Sequence, residues 1–149
     1  MKSPLAIALM LFCLAAPVTD NAAQEAGIDE ILTRAETQRV TMNYACSISE
    51  LSPVRIRGRL VVQGDCYYAE GYGMRIYCNG GTRWTVDPDN REVYVEDAGG
   101  IAEVLLYRDS VTNLKLSDIE YSEPSDPAVF RFDVSALDST WVITDLRGL

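Results

Sequence analysis

The chain has 149 residues, 48% of them hydrophobic, no histidine and a formal net charge of −9. That length suits one domain with one sizeable core. Without histidine no Ser-His-Asp or Cys-His site can be built and the commonest metal ligand is missing, while the acidic balance argues against nucleic acid and against electrostatic docking on anionic lipid.

Lys2 precedes an apolar run from Pro4 to Ala16. The run is too short for a membrane span, which takes about 20 residues. A positive charge, an apolar stretch and then small residues is the layout of a secretory signal. Residues 1–23 are therefore expected to be a cleaved leader, with cleavage after Ala15 or after Ala23 both open, and 24–149 a single periplasmic domain. Phe12 stands where a lipobox carries Gly, Ala or Ser, so lipidation of Cys13 is not expected.

Ile28, Ile31, Leu32 and Ala35 recur at helical spacing. Asp29 and Glu30 come early and Arg39 late, as the helix dipole favours, which predicts a helix over 28–39. The period then changes to two. Strands are predicted over 41–51, 54–63, 66–70, 74–78, 82–86 and 92–95. Ser52-Pro53, Gly64-Asp65, Gly71-Tyr72-Gly73, Asn79-Gly80-Gly81 and Asp87-Pro88-Asp89-Asn90 punctuate them. Gly99-Gly100 interrupts the series, and Ile101, Val104 and Leu105 suggest a short second helix over 102–107. Strands over 114–121, 129–134 and 140–145 close the chain. The expected fold is mainly β: a strongly curved antiparallel sheet, in effect an open, incomplete β-barrel, with the N-terminal helix and the short second helix packed on its concave face.

Within each strand the apolar residues share a parity. Leu60 goes with Val62, Met74 with Ile76 and Cys78, Trp84 with Val86, Val93 with Val95, Phe130 with Phe132 and Val134, Trp141 with Ile143. Arg59, Gln63, Arg75, Arg83, Glu92, Arg131 and Asp133 alternate with them, so one apolar face and one polar face are expected. A helix of about twelve residues, some three turns long, is too small to cover such a face. Met74, Ile76, Trp84, Val86, Phe130, Phe132 and Trp141 are accordingly the candidate lining of an apolar concavity.

After the leader, Cys46, Cys66 and Cys78 remain. Cys66 and Cys78 sit symmetrically about Tyr72, so a hairpin centred there would set them opposite each other, either as a disulfide or as two buried thiols. Asp87 with Asp89, and Glu96 with Asp97, are carboxylate pairs in turn-like segments and read as solvated turn residues. Asp87 to Asn90 lacks the glycine and distant glutamate of a calcium loop. No phosphate-binding loop is present, and the serines and threonines lack a base to activate them. No metal, cofactor or catalytic activity is expected.

Gly58 to Asp65, then Gly73 to Pro88 with Asn79-Gly80-Gly81-Thr82-Arg83-Trp84-Thr85-Val86-Asp87, then Glu92-Val93-Tyr94-Val95 and the closing Leu137 to Arg147, resemble the LolA-like outer-membrane lipoprotein carriers. The resemblance spans most of the mature chain. It implies an open β-barrel with helices as a lid over a hydrophobic cavity, and a periplasmic carrier that shelters the acyl chains of lipoproteins or another lipid on their way to the outer membrane. Its implied partners are the acylated ligand, an inner-membrane release complex and an outer-membrane acceptor. This chain departs from the larger members in length and at Asp65-Cys66-Tyr67-Tyr68-Ala69-Glu70, which has no arginine or lysine where they carry a basic-aromatic motif. The alternative is a lipid- or lipoprotein-sensing regulatory module of the same fold.

Overall fold

A computed structural model describes residues 21–47, 54–101 and 112–149. Helix α1 (Asn21–Ala35) precedes strands β1 (Arg39–Ser47), β2 (Arg55–Gln63), β3 (Cys66–Gly71), β4 (Met74–Cys78), β5 (Thr82–Asp87), β6 (Glu92–Asp97), β7 (Thr112–Ser122) and β8 (Val142–Asp145). The eight form one sheet in the order β7-β1-β2-β3-β4-β5-β6-β8. β1 to β6 are an antiparallel meander, β7 returns to the edge of β1, and β8 lies parallel to β6. The two outer strands do not pair, so the sheet is open. Among the described residues the protein is mainly β, with α1 packed on the sheet. Most of the expected leader and the expected second helix over 102–107 lie outside the described residues.

The helix ends earlier than its spacing predicts. Gln38 N–H closes on the Arg34 carbonyl at 2.9 Å, and Arg39 and Val40 are already laddered to Ser122 and Tyr121. The Ala35 carbonyl then accepts from Gly64 N–H at 2.7 Å, which fixes the end of the helix to the β2–β3 turn.

Register divides the sheet into two faces, because successive side chains point to opposite sides. Val40, Met42, Tyr44 and Cys46 of β1 stand opposite Val62, Leu60, Gly58 and Ile56 of β2. The same rows continue through Tyr67 and Ala69 of β3 to Cys78 and Ile76 of β4. Ile31 and Ala35 of α1 and Ile101 are buried in this cluster, so this is the helix face. The second cluster holds Trp84, Val86, Val93 and Val95, with Tyr77, Phe132, Val134, Leu137 and Trp141 packed on it. It lies on the opposite side of the sheet.

Between β7 and β8 the chain crosses that opposite side, the crossover face. Its start is pinned beside β1 and β2. Gln63 Nε2 donates to the Ser125 carbonyl at 2.8 Å, Ser125 N–H donates to Gln63 Oε1 at 2.9 Å, and Arg39 Nη1 donates to Ser125 Oγ at 2.7 Å. The strand predicted over 129–134 does not form. Its place is taken by 3-10 turns at Pro127–Phe130 and Val134–Ala136. Asp126 Oδ1 accepts from Ala128 N–H at 2.9 Å and Asp133 Oδ1 from Ser135 N–H at 3.0 Å. These aspartates offer the backbone local acceptors that compete with a ladder, and Pro127 has no N–H to give one.

Candidate functional site

The helix face over β1 to β4 is the largest apolar surface the sheet builds. Its cluster contains Val40, Met42, Tyr44, Cys46, Ile56, Leu60, Val62, Tyr67, Ala69, Met74, Ile76 and Cys78; among the described side chains of α1, Ile31 and Ala35 are buried against it, with Leu32 partly buried beside them. Gly58 faces Gly71 across β2 and β3, and the Tyr44 hydroxyl fills that gap, donating to the Glu70 carbonyl at 3.2 Å.

From β4 to β5 the same face changes character. Ile76 stands opposite Thr85 and Cys78 opposite Arg83, and these continue to Tyr94 and Glu96. Arg83 donates from Nε and Nη2 to Glu96 Oε2 at 3.1 and 2.8 Å. Burial alone would lower the guanidinium's pKa, but the bonds and charge of Glu96 outweigh it and hold Arg83 above its usual range. Burial pushes the Tyr67 phenol up, and the Arg83 guanidinium and Cys78 thiol lie close enough to act on it. The Tyr94 hydroxyl donates to Glu92 Oε2 at 3.1 Å. Asp87, expected to be solvated, is fully buried. Its carboxylate accepts from Asn90 N–H at 3.2 Å and from Asn90 Nδ2 at 2.9 Å, which closes the β5–β6 turn.

The candidate lining residues do not share one face. Met74 and Ile76 are on the helix face, whereas Trp84 and Val86 stand opposite Tyr77 and Arg75 and point to the crossover face. The expected parity holds within β2, β4, β5 and β6, but Phe130, Phe132 and Val134 lie in no strand. Which face joins which across a turn depends on turn length, and a shift of one residue reverses every side chain. Phe130, Phe132 and Trp141 belong to the crossover segment, where Phe132 and Trp141 pack on the Trp84 cluster. β1 supplies four of the twelve sheet residues of the helix-face cluster and none of the candidates. The alternation Val40-Met42-Tyr44-Cys46 was the signal that could have found them.

Cys46, Cys66 and Cys78 are free thiols. The β3–β4 hairpin turns on Tyr72 and Gly73, both with positive φ (52° and 72°) as a two-residue type I′ turn requires. Tyr67 is therefore the partner of Cys78, and Cys66 points to the other face. Cys78 Sγ lies 3.5 Å from the Gly99 carbonyl. Denatured, unreduced protein should show Cys46, Cys66 and Cys78 all reactive towards a thiol reagent. Loss of two of those three equivalents would contradict this hairpin register.

An open cleft of ≈ 470 Å³ lies at the other end of the strands, lined by Arg57, Glu70, Arg75 and Asp89 around Gly58, Gly71 and Gly73. Charges of both signs alternate there, which does not suit an apolar ligand. Among the described residues no three His, Cys, Asp or Glu side chains gather to hold a metal ion, and no helix is long and apolar enough to cross a membrane. No protein-family model matches the chain, and no curated protein matches it.

Proposed function

We propose that the protein is a periplasmic carrier that shelters acyl chains between the helix face of its sheet and the elements covering it, delivering lipoproteins or another acylated lipid towards the outer membrane as the LolA-like carriers do. The observation that carries this reading is the mismatch on the helix face. Twelve sheet side chains form one apolar cluster over four strands, and among the described residues Ile31 and Ala35 of α1 and Ile101 are what is buried against them. The 15-residue helix is tethered at its C-terminal end by Gly64 N–H on the Ala35 carbonyl and by Arg34 over the Tyr121 ring, so it can lift about that end while the sheet keeps its own ladder and a second core on its far side. Each methylene that enters contributes roughly 0.8 kcal/mol. An acyl chain can therefore replace the contacts α1 gives up. In this reading the crossover face is a sealed structural core and the helix face is the ligand side.

The test is titration of the full mature chain with a fluorescent fatty acid. Saturable binding is expected. Leu32→Glu, at the half-buried seam of α1, should abolish it while leaving cooperative melting intact, because a desolvated unpaired charge would oppose the ligand. Trp141→Ala should lower stability and leave the affinity unchanged. Both tryptophans lie on the crossover face, so their emission maxima should not move on binding. No saturable binding by the folded protein, or loss of it in Trp141→Ala alone, would overturn the reading.

A further inference from the structure

The helix face contains two buried hydroxyls without partners. Tyr67 and Thr85 are both 0% exposed, and neither Tyr67 Oη nor Thr85 Oγ1 has a partner in hydrogen-bonding geometry, although the Arg83 guanidinium and the Cys78 thiol lie near enough to the Tyr67 phenol to act on it. Buried polar groups in native proteins nearly always have a partner, since leaving one unmade costs its full desolvation. Both face the same side. Tyr67 is opposite Cys78, Cys78 opposite Arg83, and Thr85 follows two residues after Arg83. They stand where the apolar rows of β1 to β4 give way to the polar rows of β5 and β6. A hydrophobic chain lying along the first would bring its polar end to the second.

We propose that Tyr67 and Thr85, beside the Arg83–Glu96 pair, form the polar end of the acyl site and bind the ester or amide carbonyl of an acylated ligand. The charge balance selects that chemistry. Arg83 is taken up by Glu96 at 2.8 Å, so the subsite is close to neutral, and the chain as a whole carries −9. A phosphate or free carboxylate would meet no uncompensated cation. A carbonyl oxygen is a neutral acceptor with two lone pairs, able to take one bond from each hydroxyl. Arg83 is a positioning residue in this scheme, holding its edge of the subsite polar without itself bonding the ligand.

This inference rests on the acyl-carrier reading, and the experiment separates the two. Monopalmitin and hexadecane are compared as displacers of the fluorescent fatty acid from the full mature chain, in wild type, Tyr67→Phe and Thr85→Val. Each variant removes one hydroxyl and keeps the shape. Monopalmitin should bind roughly threefold to tenfold more weakly in each, the effect of one neutral hydrogen bond. Hexadecane affinity should be unchanged and the melting temperature should not fall, because a hydroxyl with no partner in the fold is not missed by it. Equal weakening of both ligands, no change for monopalmitin, or a clear fall in melting temperature would overturn the carbonyl subsite while leaving the carrier reading standing. A wild-type protein that binds neither ligand would overturn both.

Discussion

Gly58→Ala should be among the most destabilising single-methyl additions this sheet can suffer. A Cβ on Gly58 would lie 1.7 Å from the Glu70 carbonyl oxygen and 2.8 Å from the Tyr44 hydroxyl. The first obstacle is backbone, held in the β2–β3 ladder by the pairing of Gly58 with Gly71 and Arg59 with Glu70, so it cannot swing aside as a side chain would. The second is the donor that bonds that same oxygen. Relief requires β2 and β3 to part in the middle of the meander. Overpacking costs about 1–3 kcal/mol and at times more, and a backbone obstacle puts this variant at about 3 kcal/mol or above. Gly27→Ala is the control. It lies inside α1 with nothing within 4 Å of the new methyl, and should raise stability by about 0.5–1 kcal/mol through helix propensity. Urea denaturation of the two variants against wild type measures both. A neutral Gly58→Ala would mean that β2 and β3 do not approach as closely as described.

The meander from β1 to β6 was legible because its turns announce themselves. Gly64-Asp65, Tyr72-Gly73 and Asp87 to Asn90 interrupt clean period-two runs, and β4 (Met74–Cys78) falls where alternation put it. The faces were not legible, since they depend on how many residues each turn spends. Counting the β3–β4 turn as three residues centred on Tyr72 set Cys66 against Cys78; the observed two-residue turn sets Tyr67 there instead. The assumption that every strand offers its apolar parity to one side merged two cores into one. Here β2 to β4 bury theirs under α1 while β5 and β6 bury theirs under the crossover. Nothing local distinguishes these cases: Trp84 and Val86 alternate with Arg83 and Thr85 just as Leu60 and Val62 alternate with Arg59 and Val61. The segment from Val129 to Val134 misled for another reason. Its Phe-Arg-Phe-Asp-Val alternation is strand-like, but Asp126 and Asp133 are acceptors placed to turn the backbone, and the parallel crossing to β8 needs turns at those points.

Phe130→Ala should cost about 3–5 kcal/mol, the usual range for emptying a buried aromatic site. Phe130 is 1% exposed and is the buried side chain of the Pro127–Phe130 turn, which packs on β3. It therefore anchors the crossover midway between the Ser125 cluster and the Trp84 core. The contrast with its neighbours decides between architectures. A strand over 129–134 would bury Phe130 and Phe132 alike on one face, and alanine at either would cost a similar amount. The observed turn makes Phe130 dominant. Phe132, only half-buried against Tyr77 with ring centroids 5.4 Å apart, should cost distinctly less, and Val129, 48% exposed, should stay within about 0.5 kcal/mol of wild type. β8 reports where the loss goes. Its hold on β6 runs through Val142 N–H to the Arg91 carbonyl at 2.9 Å and Leu146 N–H to the Val95 carbonyl at 2.8 Å. If the crossover opens as one unit, amide exchange at Val142 and Leu146 should accelerate in Phe130→Ala before that of Val93 or Val86 does. Equal costs for Phe130 and Phe132, with β8 exchange unchanged, would mean that the crossover is not held by the turn at Phe130.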